Sequence, residues 1–253
     1  TCVGLCWSSC TNEVDEFIGN VEPSTRSVST ALNANLASLF TGGAPTLTSA
    51  EIKEVNDAYA KMTSINCYRN IDEAVRNKTS YAGTIFLDDT YASAYFRKGS
   101  LAFPPYGILA SSMEHEFIHM YQRDVQGKKV DTDKEKRDTG MMEFELAFYQ
   151  GIIRYIHAGY SWTFKGEDGD PSYQSLWTSG LTDPSLIPQY EREFQTYVAS
   201  ICANGKPTSI DINEFVKWSN IFGEYSRGYS GKGYKFGNYD YGTSCINSLL
   251  KLY

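Results

Sequence analysis

Two of the three histidines in the chain are four residues apart, in a His-Glu-Phe-Ile-His string at 115–119. Four residues are about one turn of an α-helix, so both imidazoles lie on the same helical face. Pro104 and Pro105 break the chain before this segment, and a helix is predicted from about 106 to 124. The rest of the fold must therefore bury one side of a helix whose other side carries two metal-binding rings.

Glu116 lies between the two histidines and adds a carboxylate that can accept a proton. Two imidazoles at this spacing bind one Zn²⁺ ion, and the metal lowers the pKa of a water molecule towards about 7. A carboxylate beside the metal takes the proton of that water as it attacks a carbonyl carbon. We expect His115 and His119 to bind zinc and Glu116 to act as general base and later as proton donor.

A catalytic zinc ion takes three protein ligands and keeps one position open. Gln122 and Val125 occupy the places where the metzincin pattern has a glycine and a third histidine, so that pattern is excluded. The remaining candidates are Glu143 and Glu145, in the next predicted helix. Two residues apart, they point about 200° away from each other, and only one of them can face the metal.

The two carboxylates differ in the residues that share their helical face. The face of Glu143 carries Thr139, Gly140, Ala147, Gln150 and Arg154 and is predicted to be solvated. The face of Glu145 carries Met141, Met142, Phe148, Tyr149 and Ile152 and is predicted to be buried. Because a buried carboxylate needs a partner, the pattern favours Glu145 as the third ligand, with Glu143 as the alternative.

The strings at 114–122 and 142–147 resemble the gluzincin arrangement of thermolysin-like metallopeptidases. They are also similar to secreted zincin-like peptidases of bacterial surfaces, which carry an H-E-hydrophobic-x-H-x-x-Q helix and an E-x-E-A helix. The resemblance covers about residues 80–155. It implies an α+β, zincin-like fold, predominantly helical, with a small sheet packed on the His-Glu-x-x-His helix. It also implies a zinc metallopeptidase in which the strand at 81–88 pairs with an extended peptide substrate.

Four further residues are weaker candidates for the site. Tyr149, one turn beyond Glu145, is a candidate for orienting a ligand or polarising a carbonyl group. Gln122 is a candidate for a contact with a metal ligand, and Asp240 is a remote alternative ligand. His157 stands twelve residues after Glu145, about 18 Å along one helix, which is too far for the two to share a metal.

The remaining periodicity predicts a mostly helical chain. Thr48 and Glu51 form a capping box before the second helix. A strand is predicted at 81–88 with a hairpin partner at 91–97. Helices are predicted at 28–40, 49–62, 67–77, 106–124, 139–158, 184–203, 209–222 and 244–252.

The six cysteines at 2, 6, 10, 67, 202 and 245 suggest disulfides and an oxidising compartment. The sequon at Asn77 also favours an extracellular or cell-surface location. Six reduced thiols are the open alternative. We expect residues 1–47 to form a disulfide-tethered arm and residues 48–253 to form a single catalytic domain.

The net charge of −7, without a basic block, argues against nucleic acid and against anionic membrane surfaces. No apolar run reaches the roughly 18 residues of a membrane span. The resemblance to metallopeptidases implies a peptide or protein substrate as the partner. Two alternatives stay open: an inactive zincin-like scaffold that binds partners through the tyrosine-rich stretch at 223–243, and a secreted effector with one protein target.

Overall fold

The computed structural model describes residues 31–129, 136–157, 183–226 and 229–253. The cysteines at 2, 6 and 10 lie outside these residues. The chain divides into two compact units, Thr1–Tyr121 and Gln122–Tyr253. The described part has mixed α and β structure and is mostly helical, as predicted. No helix in it is both long and apolar enough to cross a membrane.

The described part of the first unit, from residue 31 on, contains four helices and one small sheet. Thr48 accepts a hydrogen bond from the backbone N–H of Glu51, whose side chain accepts one from the backbone N–H of Thr48, so the predicted capping box is confirmed. The helices are α1 (Ala34–Leu39), α2 (Ser49–Ser64), α3 (Asn66–Lys78) and α4 (Ala110–Met120).

The sheet of the first unit has three strands, β1 (Ile85–Leu87), β2 (Tyr95–Arg97) and β3 (Ser100–Phe103), in the order β1-β3-β2. The predicted hairpin between β1 and β2 is wrong, because β3 lies between them, parallel to β1 and antiparallel to β2. The true hairpin turns at Lys98 and Gly99, whose φ values are +51° and +78°. Two successive positive φ angles are typical of a type I′ turn, which favours glycine.

Strand β3 was not predicted because its sequence has no alternation. Leu101, Ala102 and Phe103 are all at most 1% exposed. A central strand with both faces covered reads as a short apolar run, which sequence periodicity does not separate from other buried segments.

Helix α4 buries one side in the first unit. Met113 and Phe117 are one turn apart and fully buried, and the Phe117 ring lies 6.2 Å from the ring of Tyr59 on α2. Helices α2 and α3 and strand β2 all pack against α4. Since His115 is two residues after Met113, its side chain projects about 200° away from this apolar face.

The second unit is built around one long helix, α5. Its elements are α5 (Lys136–His157), α6 (Ile187–Ile201), α7 (Ile212–Tyr225), α8 (Ser244–Leu250) and a two-stranded ribbon, β4 (Cys202–Ala203) with β5 (Lys206–Pro207). The Phe144 ring contacts Phe215 and Phe222 of α7 at centroid distances of 5.0 and 5.6 Å. This aromatic core holds α5 against its neighbours.

The prediction for the two faces of α5 is only half right. The face of Glu145 is buried as expected, since Met141, Phe148, Tyr149 and Ile152 are all 0% exposed. The expected solvated face is not uniformly exposed, because Ala147 and Gln150 are also buried. The physical reason is that α6, α7 and α8 all pack on α5 and cover more than one side of it.

The prediction of disulfide bonds is wrong for the described cysteines. Cys67, Cys202 and Cys245 are thiols, and none of the three is part of a disulfide. Cys67 on α3 and Cys245 on α8 are buried with the apolar side chains of their helices. Buried thiols pack as small apolar groups, so an even number of cysteines does not by itself indicate disulfides.

Candidate metal centre

The two histidines of α4 face each other across one helical turn. Their Nε2 atoms are 3.1 Å apart, and their rings are 4.7 Å apart and nearly perpendicular. Both side chains are partly exposed, whereas their neighbours Phe117 and Ile118 are fully buried. The helix thus presents two imidazole nitrogens at its accessible side.

The separation of the two Nε2 atoms fits a shared zinc ion. Zinc binds imidazole nitrogen at about 2.0–2.1 Å in tetrahedral geometry, which puts two such nitrogens about 3.3 Å apart. The observed 3.1 Å is within a few tenths of an ångström of this value. The pair therefore needs little rearrangement to become two metal ligands.

Glu116 lies on the flank of the same helix. Its Oε1 atom is 4.0 Å from the Nε2 atom of His115, and its side chain is only 6% exposed. At 100° per residue, Glu116 is about 60° from His119 around the helix axis. A nearly buried carboxylate beside two metal-binding nitrogens is the arrangement that a general base for a metal-activated water requires.

Helix α4 passes directly into a π-helix at Tyr121–Val125. In the second unit, the buried Gln122 of this π-helix donates both amide N–H groups to α5. One goes to the carbonyl oxygen of Met142 at 3.0 Å and the other to Oε2 of Glu145 at 2.8 Å. Single π-helical turns recur at functional sites because they re-aim a side chain, and here the turn aims Gln122 at α5.

Glu145 is 0% exposed and held by hydrogen bonds within the second unit. Besides the Gln122 amide, the hydroxyl of Tyr241 donates to its Oε2 atom at 2.8 Å. Burial raises the pKa of Glu145, while hydrogen bonds from Cys245, Gln122 and Tyr241 act in the opposite direction. Side chains of the protein therefore supply two donors to Oε2. The buried Oε1 atom accepts no hydrogen bond within the described residues.

Lys128 holds Tyr241 through two contacts. The Lys128 ammonium group lies 3.6 Å from the centre of the Tyr241 ring and donates to the Tyr241 carbonyl oxygen at 2.9 Å. Burial raises the pKa of the Tyr241 hydroxyl, and the charge of Glu145 raises it further. The Tyr241 hydroxyl thus remains protonated at neutral pH and serves as a hydrogen-bond donor to Glu145.

Glu143 is in a different environment from Glu145. It is partly exposed, and the hydroxyl of Tyr229 donates to its Oε2 atom at 2.8 Å. Tyr234 lies nearby, since the charge of Glu143 adds to burial in raising the pKa of Tyr234. Glu143 therefore combines accessibility to an ion with a side chain held in one orientation.

The structure locates three weaker candidates from the sequence, but none of their described contacts gives them a role in a metal site. Tyr149 is fully buried on α5, which does not favour contact with a substrate. Asp240 is exposed on a 3₁₀-helix at Tyr239–Tyr241, with its backbone N–H bonded to Asn238. His157 is the last residue of α5, so the expected continuous helix from Glu145 is confirmed.

Tyr229 and Tyr241, which lie far from α5 in the chain, were not predicted to contact its two glutamates. Both belong to the tyrosine-rich stretch at 223–243, which has no period to indicate where each ring points. One available signal was Gly140, because a Cβ atom there would lie 2.7 Å from the carbonyl oxygen of Lys235. Glycine at this position lets the stretch approach the first turns of α5.

Comparison with known proteins identifies no relative of this chain. No protein-family model, no curated protein and no solved structure matches the chain. The resemblance of the two short strings to zincins consequently remains local to those strings, and any functional assignment depends on the residues themselves.

Proposed function

We propose that the chain is a zinc-dependent peptidase in which His115, His119 and Glu143 bind the metal and Glu116 is the general base. The observation that carries the proposal is the pair of Nε2 atoms 3.1 Å apart on α4, with the nearly buried Glu116 beside them. Two histidines and one glutamate are a ligand set that catalytic zinc sites use.

We choose Glu143 rather than Glu145 as the third ligand for two reasons. The sequence favours Glu145 because a buried carboxylate needs a partner, and at Oε2 Gln122 and Tyr241 already provide two. Glu143 is partly exposed, and the Tyr229 hydroxyl holds its carboxylate in one orientation, so it is open to an ion within its own unit. The assignment of Glu145 stays a prediction that metal-binding measurements can distinguish from this one.

A buried glutamine of the second unit contacts α5 next to Glu143. Gln122 follows His119 by three residues, less than one turn of the continuous helix. Its amide is bonded to the carbonyl oxygen of Met142, the residue directly before Glu143. Within the second unit, Gln122 therefore holds the π-helix to the part of α5 that carries Glu143 and Glu145.

Zinc bound there would supply a water molecule of pKa near 7 and a positive charge that polarises the substrate carbonyl. Glu116 accepts the proton from the attacking water and transfers it to the leaving amine. The low exposure of Glu116 keeps its carboxylate from competing water and limits its movement. His115 and His119 would hold the metal through their Nε2 atoms, which leaves the apolar face of α4 in the core.

A peptide is the proposed substrate because a strand edge lies beside α4. Strand β2 is at an edge of the sheet and packs against α4 in the first unit. Extended peptides add to such edges through main-chain hydrogen bonds, which do not depend on sequence. The expected substrate-pairing strand at 81–88 corresponds to β1, at the opposite edge, and we assign that role to β2 instead.

The proposal predicts peptide cleavage that depends on zinc. We expect metal-free protein to leave a mixed peptide library intact, and addition of one equivalent of zinc to start hydrolysis, because both the water and the carbonyl need the metal. Mass spectrometry of the library before and after zinc addition measures this, with a His115→Ala variant as control.

Zinc binding without cleavage of any peptide would favour the scaffold alternative over the enzyme. Cleavage that is equally fast without metal, or in the His115→Ala variant, would contradict the proposed centre. An extracellular location remains part of the proposal, without support from the described cysteines.

A further inference from the structure

Among the described residues, Tyr229 is a side chain outside α4 and α5 that contacts the proposed ligand Glu143. It lies 86 residues after Glu143, in the stretch that follows α7, and its hydroxyl is 2.8 Å from Oε2 of Glu143. We infer that Tyr229 is a positioning residue for the metal site, which holds the Glu143 carboxylate so that the metal is bound through Oε1. This inference deepens the proposed function and rests on it.

Tyr229 is fixed by its own surroundings. Its backbone N–H donates to the Ser226 carbonyl oxygen at 3.0 Å, in the turn that ends α7. Its ring lies 5.0 Å from that of Phe222 and 5.5 Å from that of Tyr234. Aromatic contacts at these distances restrict the ring, so the direction of the hydroxyl is determined before any metal binds.

The contact with Glu143 is not explained by burial. Both side chains are only partly buried, and a carboxylate at such a position keeps access to water without a tyrosine. Holding a glutamate side chain in one rotamer costs conformational entropy that an exposed pair recovers poorly. Carboxylates that bind a metal are oriented by an outer hydrogen bond, and the Tyr229 hydroxyl would supply one to Glu143.

The hydrogen bond also determines how Glu143 presents its oxygens. While Oε2 accepts the Tyr229 proton, coordination through Oε1 alone retains the bond, and coordination through both oxygens weakens it. Single-oxygen binding keeps the metal four-coordinate, with one position for water. Loss of the hydroxyl is therefore expected to change both the affinity for metal and the coordination number.

The test is Tyr229→Phe, with Tyr234→Phe as the matched control. Each variant removes one hydroxyl from the same aromatic cluster, but Tyr229 is the one whose hydroxyl is bonded to Glu143. Zinc affinity is measured by competition with a chromophoric chelator, and coordination by the visible spectrum of the Co²⁺-loaded protein. We expect Tyr229→Phe to lower zinc affinity about 10–100-fold and to weaken the cobalt absorption as the coordination number rises.

The control variant is expected to match wild type in both measurements. Equal zinc affinity and an identical cobalt spectrum in Tyr229→Phe and wild type would overturn the inference while leaving the peptidase proposal standing. Full zinc binding by Glu143→Ala would instead overturn the ligand assignment. Thermal unfolding of each metal-free variant separates these results from a loss of fold.

Discussion

Glu116→Gln is expected to abolish peptide hydrolysis while leaving zinc bound. The amide has nearly the shape of the carboxylate but cannot accept a proton at neutral pH, so turnover should fall by about 100–10,000-fold. Zinc affinity should stay within a few-fold of wild type, because Glu116 is not among the proposed ligands. Steady-state kinetics on one cleaved peptide, together with zinc titration of the same preparation, measures both quantities.

The matched control for this variant is Glu114→Gln. Glu114 is also a buried glutamate of α4, but at 100° per residue it projects about 160° away from Glu116. We expect its turnover to stay within a few-fold of wild type. Equal loss in the two variants would indicate a general disturbance of α4, and retained turnover in Glu116→Gln would contradict the assignment of the base.

Glu143→Ala is expected to lose zinc and keep its stability, whereas Glu145→Ala is expected to keep zinc and lose stability. The zinc affinity of Glu143→Ala should fall by more than the roughly 10–100-fold that loss of an outer hydrogen-bond partner costs. Its metal-free stability should change by under about 1 kcal/mol, because the site is partly exposed. The comparison isolates the ligand function from the structural function of two glutamates on one helix.

Glu145→Ala should keep one zinc per chain and lose stability. The change leaves the Gln122 amide and the Tyr241 hydroxyl without their buried acceptor, at roughly 1–3 kcal/mol for each donor. Glu145→Gln should recover most of this loss, since both donors use the same oxygen position. Urea unfolding of metal-free protein measures the stability, and zinc titration measures the ligand. Zinc lost from folded Glu145→Ala but kept by Glu143→Ala would restore the original assignment.

The helices could be predicted because their signals are local. Thr48 and Glu51 mark the start of α2, and the apolar spacing of Met113 and Phe117 follows one face of α4. Two histidines one turn apart need no tertiary information to be brought together, so the 3.1 Å contact follows from the helix itself.

The sheet and the surroundings of the glutamates could not be predicted, because both depend on pairing between distant residues. Strand β3 has no alternation, and its parallel partner β1 is identified only by tertiary contacts. Helical spacing correctly predicted that Glu143 and Glu145 lie on different sides of α5, with Glu145 on the buried side. It gave no information that Tyr229 and Tyr241, from a stretch without period, would each donate to one of them.

The choice between the two glutamates illustrates the limit of a burial argument. A buried carboxylate needs a partner, and Glu145 is indeed buried. The sequence does not identify the two donors to its Oε2 atom, which are Gln122, three residues after His119, and Tyr241, 96 residues after Glu145. At Oε2 of Glu145, hydrogen bonds from the protein supply the partners that the burial argument assigned to a metal ion.

The most direct test of the central claim is the zinc content of the purified chain. Elemental mass spectrometry after zinc loading and gel filtration should give one zinc per chain for wild type and for His157→Ala. The double variant His115→Ala/His119→Ala should give none, because it lacks both nitrogens of the α4 pair. Absence of zinc from wild type, or one zinc per chain in the double variant, would contradict a metal centre at these histidines.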